Sequence, residues 1–213
     1  MNPACKALKG CPPFNSTPCM MKSRKQLQSV DIDLSKYIDN SDHVRLNRRF
    51  NNEESNLSGF ILEMSEQFIL IQIHEEFLLD GYAIVRKDQV HSYRCNLTDR
   101  TQKKILQNEG VLDTQLGIST KIDLSTWQTI FRSLRNADFH VIIECEALQD
   151  PDFIIGPIKR IDKHGVKINF YDSAGRLLKF LTYVPYDQIT VVKFDNRYTT
   201  VFKKYLKQKP SVK

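Results

Sequence analysis

The chain has 213 residues, 41% of them hydrophobic, and a formal net charge of +6. That length fits one domain or two small ones, the apolar content excludes general disorder, and no apolar run approaches the ~20 residues needed to span a bilayer. The five cysteines, Cys5, Cys11, Cys19, Cys95 and Cys145, include no C-x-x-C pair, which argues against a disulfide framework and a zinc ribbon.

Residues 1–29 read as a disordered, basic, Cys-containing head. Residues 1–30 carry five Lys/Arg and no acid. They hold no apolar h-region, so no secretory leader is expected and the expected location is cytoplasmic. Met20 and Met21 stay open beside Met1 as natural starts. At the other end, residues 193–213 carry seven Lys/Arg and one acid. The globular middle is therefore mildly acidic. A basic end points to nucleic acid or an anionic surface, against the plainer reading of a solvated tail.

In DIDLSKYIDNSD, the residues Asp31, Asp33, Ser35, Asp39 and Asp42 take calcium-loop spacing. Lys36 stands where that loop needs glycine, and no Glu closes it, so helix capping is the better reading. A helix begins at Ser35 to Ile38. Strands follow at Val44 to Phe50, Phe60 to Met64, Gln67 to His74, Phe77 to Val85 and Gln89 to Cys95. Thr98 or Asp99 caps a helix running through Ile105 and Leu106, closed by Gly110 at C′. Residues 111–120 form a linker.

Ser125 and Gln128 have capping-box spacing. Trp127, Ile130, Phe131 and Leu134 then mark one helical face. Strands are expected at Val141 to Leu148, Phe153 to Ile161, Val166 to Tyr171, Leu177 to Val184 and Gln188 to Phe194, with turn chemistry at Asp172 to Arg176. A last helix packs through Tyr198, Val201, Phe202, Tyr205 and Leu206.

The chain repeats itself. SGFILEM (Ser58 to Met64) parallels IGPIKRI (Ile155 to Ile161), and Gly59 matches Gly156. Arg86 to Tyr93 parallels Pro185 to Val192 with Asp-Gln shared. Gln102 to Leu106 parallels Phe202 to Leu206, and IDLS at Ile32 recurs at Ile122. Five short strands per unit suggest a small barrel whose second strand bends at Gly59 and Gly156. Pro157 removes an N–H there, which suggests an edge or a bulge.

These residues resemble the Sm-like family, which includes the bacterial RNA chaperone Hfq. The likeness is carried by Leu57 to Ile73, by Tyr183 to Val192, and by the pattern Gly156, Ile158, Ile161, Asp162, repeated as Gly59, Ile61, Met64 with Ser65. It implies a mainly β fold with flanking helices (α+β): two tandem five-stranded Sm-like small barrels, over residues 30–110 and 121–209, with a tail at 210–213. The family's RNA-binding signatures are absent. Asp162 is followed by Lys163, His164 and Gly165, no later Arg-Gly occurs, and Tyr186, Asp187, Gln188 replace Tyr-Lys-His. An acid in place of a cation weakens the case for phosphate binding.

Chemistry is sparse. His43, His74, His91, His140 and His164 are the candidate bases, and HEEF at His74 lacks the second histidine of a zinc protease motif. No Walker loop, dinucleotide fingerprint or nucleophile elbow occurs. Arg48 and Arg49 with Asn56 to Gly59 are vaguely similar to the PilZ pattern, at a different spacing, so a cyclic-dinucleotide-binding PilZ-like barrel stays as a distant alternative. The expected function is a non-enzymatic interaction or scaffold module with no cofactor and no metal. Its partner is another protein or a second copy met through barrel edges, with no membrane. The alternative is RNA binding through Lys203, Lys204, Lys207 and Lys209 of the basic C-terminal helix, together with barrel loops.

Overall fold

The computed structural model describes residues 34–150 and 152–206. The head with Cys5, Cys11, Cys19, Met20 and Met21, the residues Asp31 and Asp33, the lysines Lys207 and Lys209, and the tail 210–213 lie outside them. Helix α1 (Ser35–Asp39) leads into strands β1 (His43–Phe50), β2 (Glu53–Met64), β3 (Phe68–Glu75), β4 (Leu78–Arg86) and β5 (Val90–Arg94). Helices α2 (Leu97–Asn108), α3 (Val111–Gln115) and α4 (Trp127–Asn136) follow. Then come β6 (His140–Cys145), β7 (Asp152–Ile161), β8 (Gly165–Ile168), β9 (Thr182–Pro185), β10 (Val191–Phe194) and α5 (Arg197–Tyr205).

The protein is mainly β. Its described strands form one open antiparallel sheet of ten, in the order β5-β1-β2-β3-β4-β10-β6-β7-β8-β9. Each half repeats the other: its last strand pairs with its first, then second, third and fourth follow. The registers repeat as well. Val44 faces Gly59 and Val141 faces Gly156. Ile69 faces Val85 and Val166 faces Val184. The internal likeness seen in four short matches therefore extends to strand pairing.

Gly59 and Gly156 sit at φ 156° in both copies. A Cβ at Gly59 would run into the carbonyl oxygen of Gln72 on β3, and one at Gly156 into that of Asn169. Glycine is needed because the second strand crosses the third at backbone contact. Each copy then shifts register, between Ile61 and Glu63 and between Ile158 and Arg160. Of the edge or bulge expected at Pro157, the bulge is present, just after it between Ile158 and Arg160, and the edge is not. β7 is an interior strand, Pro157 faces His140, and the first copy has the same bulge without a proline.

The elements differ from expectation in places. The α2 cap is Asn96, whose side chain accepts from Thr98 and Asp99 N–H, with Asp99 closing a capping box. Gly110 follows at φ 69°, as expected for C′. The α4 box is Thr126 with Thr129, while Ser125 instead hydrogen-bonds Asp123. The strand expected over Leu177 to Val184 shrinks to β9, because Phe180 and Leu181 are exposed with no strand beside them. The stretch 111–120 holds α3 and is tied to the sheet. Gln72 donates to Gln115 O (2.8 Å) and accepts from Gly117 N (2.9 Å), and Tyr82 donates to Gly117 O (2.7 Å).

The apolar face of α4 is buried as the 3.6-residue spacing requires. Its core joins Phe68, Leu70 and Ile84 of the first half to Val141, Ile143, Val166 and Phe194 of the second. The Phe68 and Trp127 rings meet edge to face, 4.7 Å apart. A second core gathers Leu34, Val44, Leu46, Ile69, Val85 and Val90. The last helix packs less than expected: Phe202 stacks on Tyr171, but Tyr198, Val201 and Tyr205 remain exposed.

Candidate functional site

The seam between the halves is a strand pairing. β4 meets β10 with Val191 facing Val85, Val192 facing Ile84, Lys193 facing Ala83 and Phe194 facing Tyr82. Tyr82 and Phe194 stack at 5.3 Å. At one end, Arg197 N–H at the start of α5 donates to Asp80 Oδ1 (2.6 Å). Beside the sheet lies a buried polar lock. Val44, Leu46 and Arg48 alternate onto the inner face of β1, so Arg48 is fully buried. Its guanidinium donates to both carboxylate oxygens of Glu146 (2.8 and 3.2 Å) and to Ser55 Oγ (2.8 Å). Ser55 and Thr190 hydroxyls also bond Glu146. Burial pushes the Glu146 carboxyl up, but these donors outweigh it and hold the group below its ordinary range. Arg48 is thus committed to a structural pair, and Asn56 to Gly59 lie within β2.

The histidines occupy four settings. His43 Nε2 lies 3.1 Å from His74 Nδ1, and His43 Nδ1 lies 3.4 Å from Asp99. Asp99 is fully buried and gripped by Arg94 at 2.9 and 3.0 Å. His140 stands at the matching start of β6, also buried. Burial lowers His43 and His140 to about 4. His91 is exposed on β5 and His164 is exposed in the β7–β8 turn. Among the described residues, no group of three or more His, Cys, Asp or Glu is arranged to hold a metal ion. Cys145 is buried and Cys95 half-buried, both as free thiols.

Of the four candidate lysines, Lys203 is already engaged. It donates to the backbone and carboxylate of Asp138, both at 2.5 Å, and so holds the Asp138 carboxyl below its usual range. Lys204 lies on a groove of about 610 Å³ between the β3–β4 hairpin and α5, shared with Glu75, Glu76, Asp80 and Asp195. That acidic lining disfavours a phosphate backbone.

The remaining distinctive surface is the pair of sheet edges. Among the described strands, β5 has β1 alone as a neighbour and β9 has β8 alone. Unpaired edges are templates for another strand. Both carry exposed apolar side chains: Leu97 just after β5 is 73% exposed, and Phe180 just before β9 is 82% exposed. Leu178, Leu181 and Tyr183 add to the second group. Sequence reading assigned Leu178, Phe180, Leu181 and Tyr183 to one strand and left Leu97 unmarked. The legible signal was LLKFL, an apolar run that in the structure pairs only through Leu177 and Leu178. No helix of the described residues is long and apolar enough to cross a membrane. Compared with protein-family models, curated proteins and solved structures, the chain finds no match.

Proposed function

We propose that the protein is a non-enzymatic interaction module, built as two Sm-like small barrels in tandem, that docks partners by strand addition at its two outer edges. One observation carries this: the halves already join by pairing the fourth strand of one with the fifth of the other, while the remaining fifth and fourth strands, β5 and β9, stand unpaired among the described strands. Main-chain hydrogen bonds at an open edge supply affinity, and neighbouring side chains supply specificity. Exposed Leu97 and Phe180 supply apolar area at these edges. RNA binding through Lys203, Lys204, Lys207 and Lys209 draws less support, because Lys203 is held by Asp138 and Lys204 stands among acids.

The test is the native size of the protein in clarified cell extract, compared with a variant carrying Leu97→Glu and Phe180→Glu. The wild type is expected to migrate above the 24.8 kDa of one chain, and the variant to fall to that size. Identical migration of the two overturns the proposal.

A further inference from the structure

We infer that the groove between the β3–β4 hairpin and α5 holds a segment of the chain's own head, residues 20–25 (MMKSRK), as an intramolecular clasp across the seam. The groove lies apart from β5 and β9, so this goes beyond edge docking.

The groove has apolar walls and a charged rim. Leu78 on β4 and Val201 on α5 line it and are exposed, and so is Phe77 at the hairpin tip. Glu76 and Phe77 make the two-residue turn, at φ 46° and 64°, where such turns usually take Asn-Gly. A carboxylate and an aromatic ring are thus presented at the lip in a backbone conformation that neither side chain favours. The rim carries four acids, Glu75, Glu76, Asp80 and Asp195, against two cations, Arg197 and Lys204. Among the described residues, Glu75, Glu76 and Asp195 form no salt bridge. Desolvation raises the Asp195 carboxyl above its ordinary value, with Lys203 opposing. A further cation arriving beside it is therefore favoured.

Charge and reach name the occupant. Residues 1–30 carry five Lys/Arg and no acid, and three of those cations, Lys22, Arg24 and Lys25, follow directly on Met20 and Met21. Two adaptable apolar side chains beside three cations match apolar walls beneath an acidic rim. The described chain starts at Leu34, and nine residues later His43 packs against His74, the neighbour of Glu75. Nine residues also separate Lys25 from Leu34, a stretch that extends up to about 30 Å. The C-terminal lysines are the competing occupant. They follow Tyr205, whose carbonyl lies beside Gly175, at the opposite end of α5 from Arg197 and Asp80, so they must turn back along the helix to reach the groove. Docked there, residues 20–25 touch the hairpin of the first half and α5 of the second. They close over the end of the seam where Asp80 meets Arg197.

Two experiments on the full chain test this. In the first, Cys5, Cys11 and Cys95 are changed to Ser, which leaves Cys19 beside Met20 and Cys145 buried in the core. A nitroxide on Cys19 should broaden the backbone amide NMR signals of Leu78, Gly81 and Thr200. Most of that broadening should be lost in ~1 M salt, where screening shortens to about 3 Å. The triple variant Lys22→Glu, Arg24→Glu, Lys25→Glu should lose it as well, and adding Glu75→Lys with Glu76→Lys should restore it. In the second experiment, zero-length carbodiimide coupling of the unsubstituted chain should join Lys22 or Lys25 to Glu75, Glu76 or Asp195 within one molecule. Three results each overturn the inference: groove amides that the nitroxide leaves untouched, broadening that passes only from one copy to another, or coupling of these acids to Lys207, Lys209 or Lys213 in place of the head.

Discussion

Arg48 and Glu146 lie 98 positions apart in the chain and meet in a two-pronged ion pair across the seam between the halves, with Arg48 fully buried and Glu146 mostly so. Removing one partner of such a pair leaves an uncompensated charge, which costs about 3–5 kcal/mol. Arg48→Met should therefore lower unfolding free energy by about that amount in chemical denaturation at neutral pH. Adding Glu146→Leu should recover much of the loss, since the orphaned carboxylate is gone. Equal stability of Arg48→Met and wild type would show that the lock does not hold the halves together.

The two strand-crossing glycines are expected to behave alike. Gly59→Ala and Gly156→Ala each force a Cβ into a carbonyl of the neighbouring strand, so each should cost about 3 kcal/mol or more. Gly110→Ala meets nothing within 4 Å and pays only for its left-handed backbone, about 1 kcal/mol. Thermal unfolding of the three variants checks the ranking.

Acid should destabilise the protein through two buried histidines. His43 and His140 are lowered by burial to about 4 from 6.5; around His140, Lys203 and Lys159 add to the lowering while Asp138 opposes it. Around His43, His74 and Arg94 also lower the value, and Asp99 opposes them. Between pH 6.5 and 4 the unfolded chain binds more protons than the folded one, so stability falls as pH falls through that window and is constant above it with respect to these groups. Unfolding free energy measured from pH 7.5 to 4.5 should decline, and His140→Gln should make the decline shallower.

Much of the fold was legible because its signals are local. Apolar alternation gave most strands, the i, i+3, i+4, i+7 stripe gave α4, and Gly59 with Gly156 exposed the repeat. Errors arose where two nearby residues compete for one role, as with Thr126 and Ser125 at the α4 cap. They also arose where the ladder stops short, as in Leu177 to Leu181, where Leu177 and Leu178 bond only Tyr171 and Phe170 and the chain then leaves the sheet until β9. The seam was not legible at all. In the sequence Arg48 reads as part of a PilZ-like arginine pair; only the fold brings Glu146, Ser55 and Thr190 around it from distant positions, and His43, His74 and Asp99 likewise converge only in space.

The C-terminal lysines offer a contrasting expectation. Lys203→Glu removes the contact with Asp138 and should cost roughly 1 kcal/mol or less, as an exposed pair does. Lys204→Glu should leave the salt dependence of any nucleic-acid retention unchanged, measured by retention on immobilised RNA across salt concentrations. A slope that drops by about one on Lys204→Glu would instead mark a phosphate contact.

The most direct measurement of edge docking is site-specific photo-cross-linking in living cells, with the photoreactive amino acid placed at Phe180 beside β9 and, as a control, at Lys104 on the exposed side of α2. Edge docking predicts a discrete covalent adduct from position 180 and none from position 104. Absence of any adduct at position 180, with the probe incorporated and the chain folded, would contradict it.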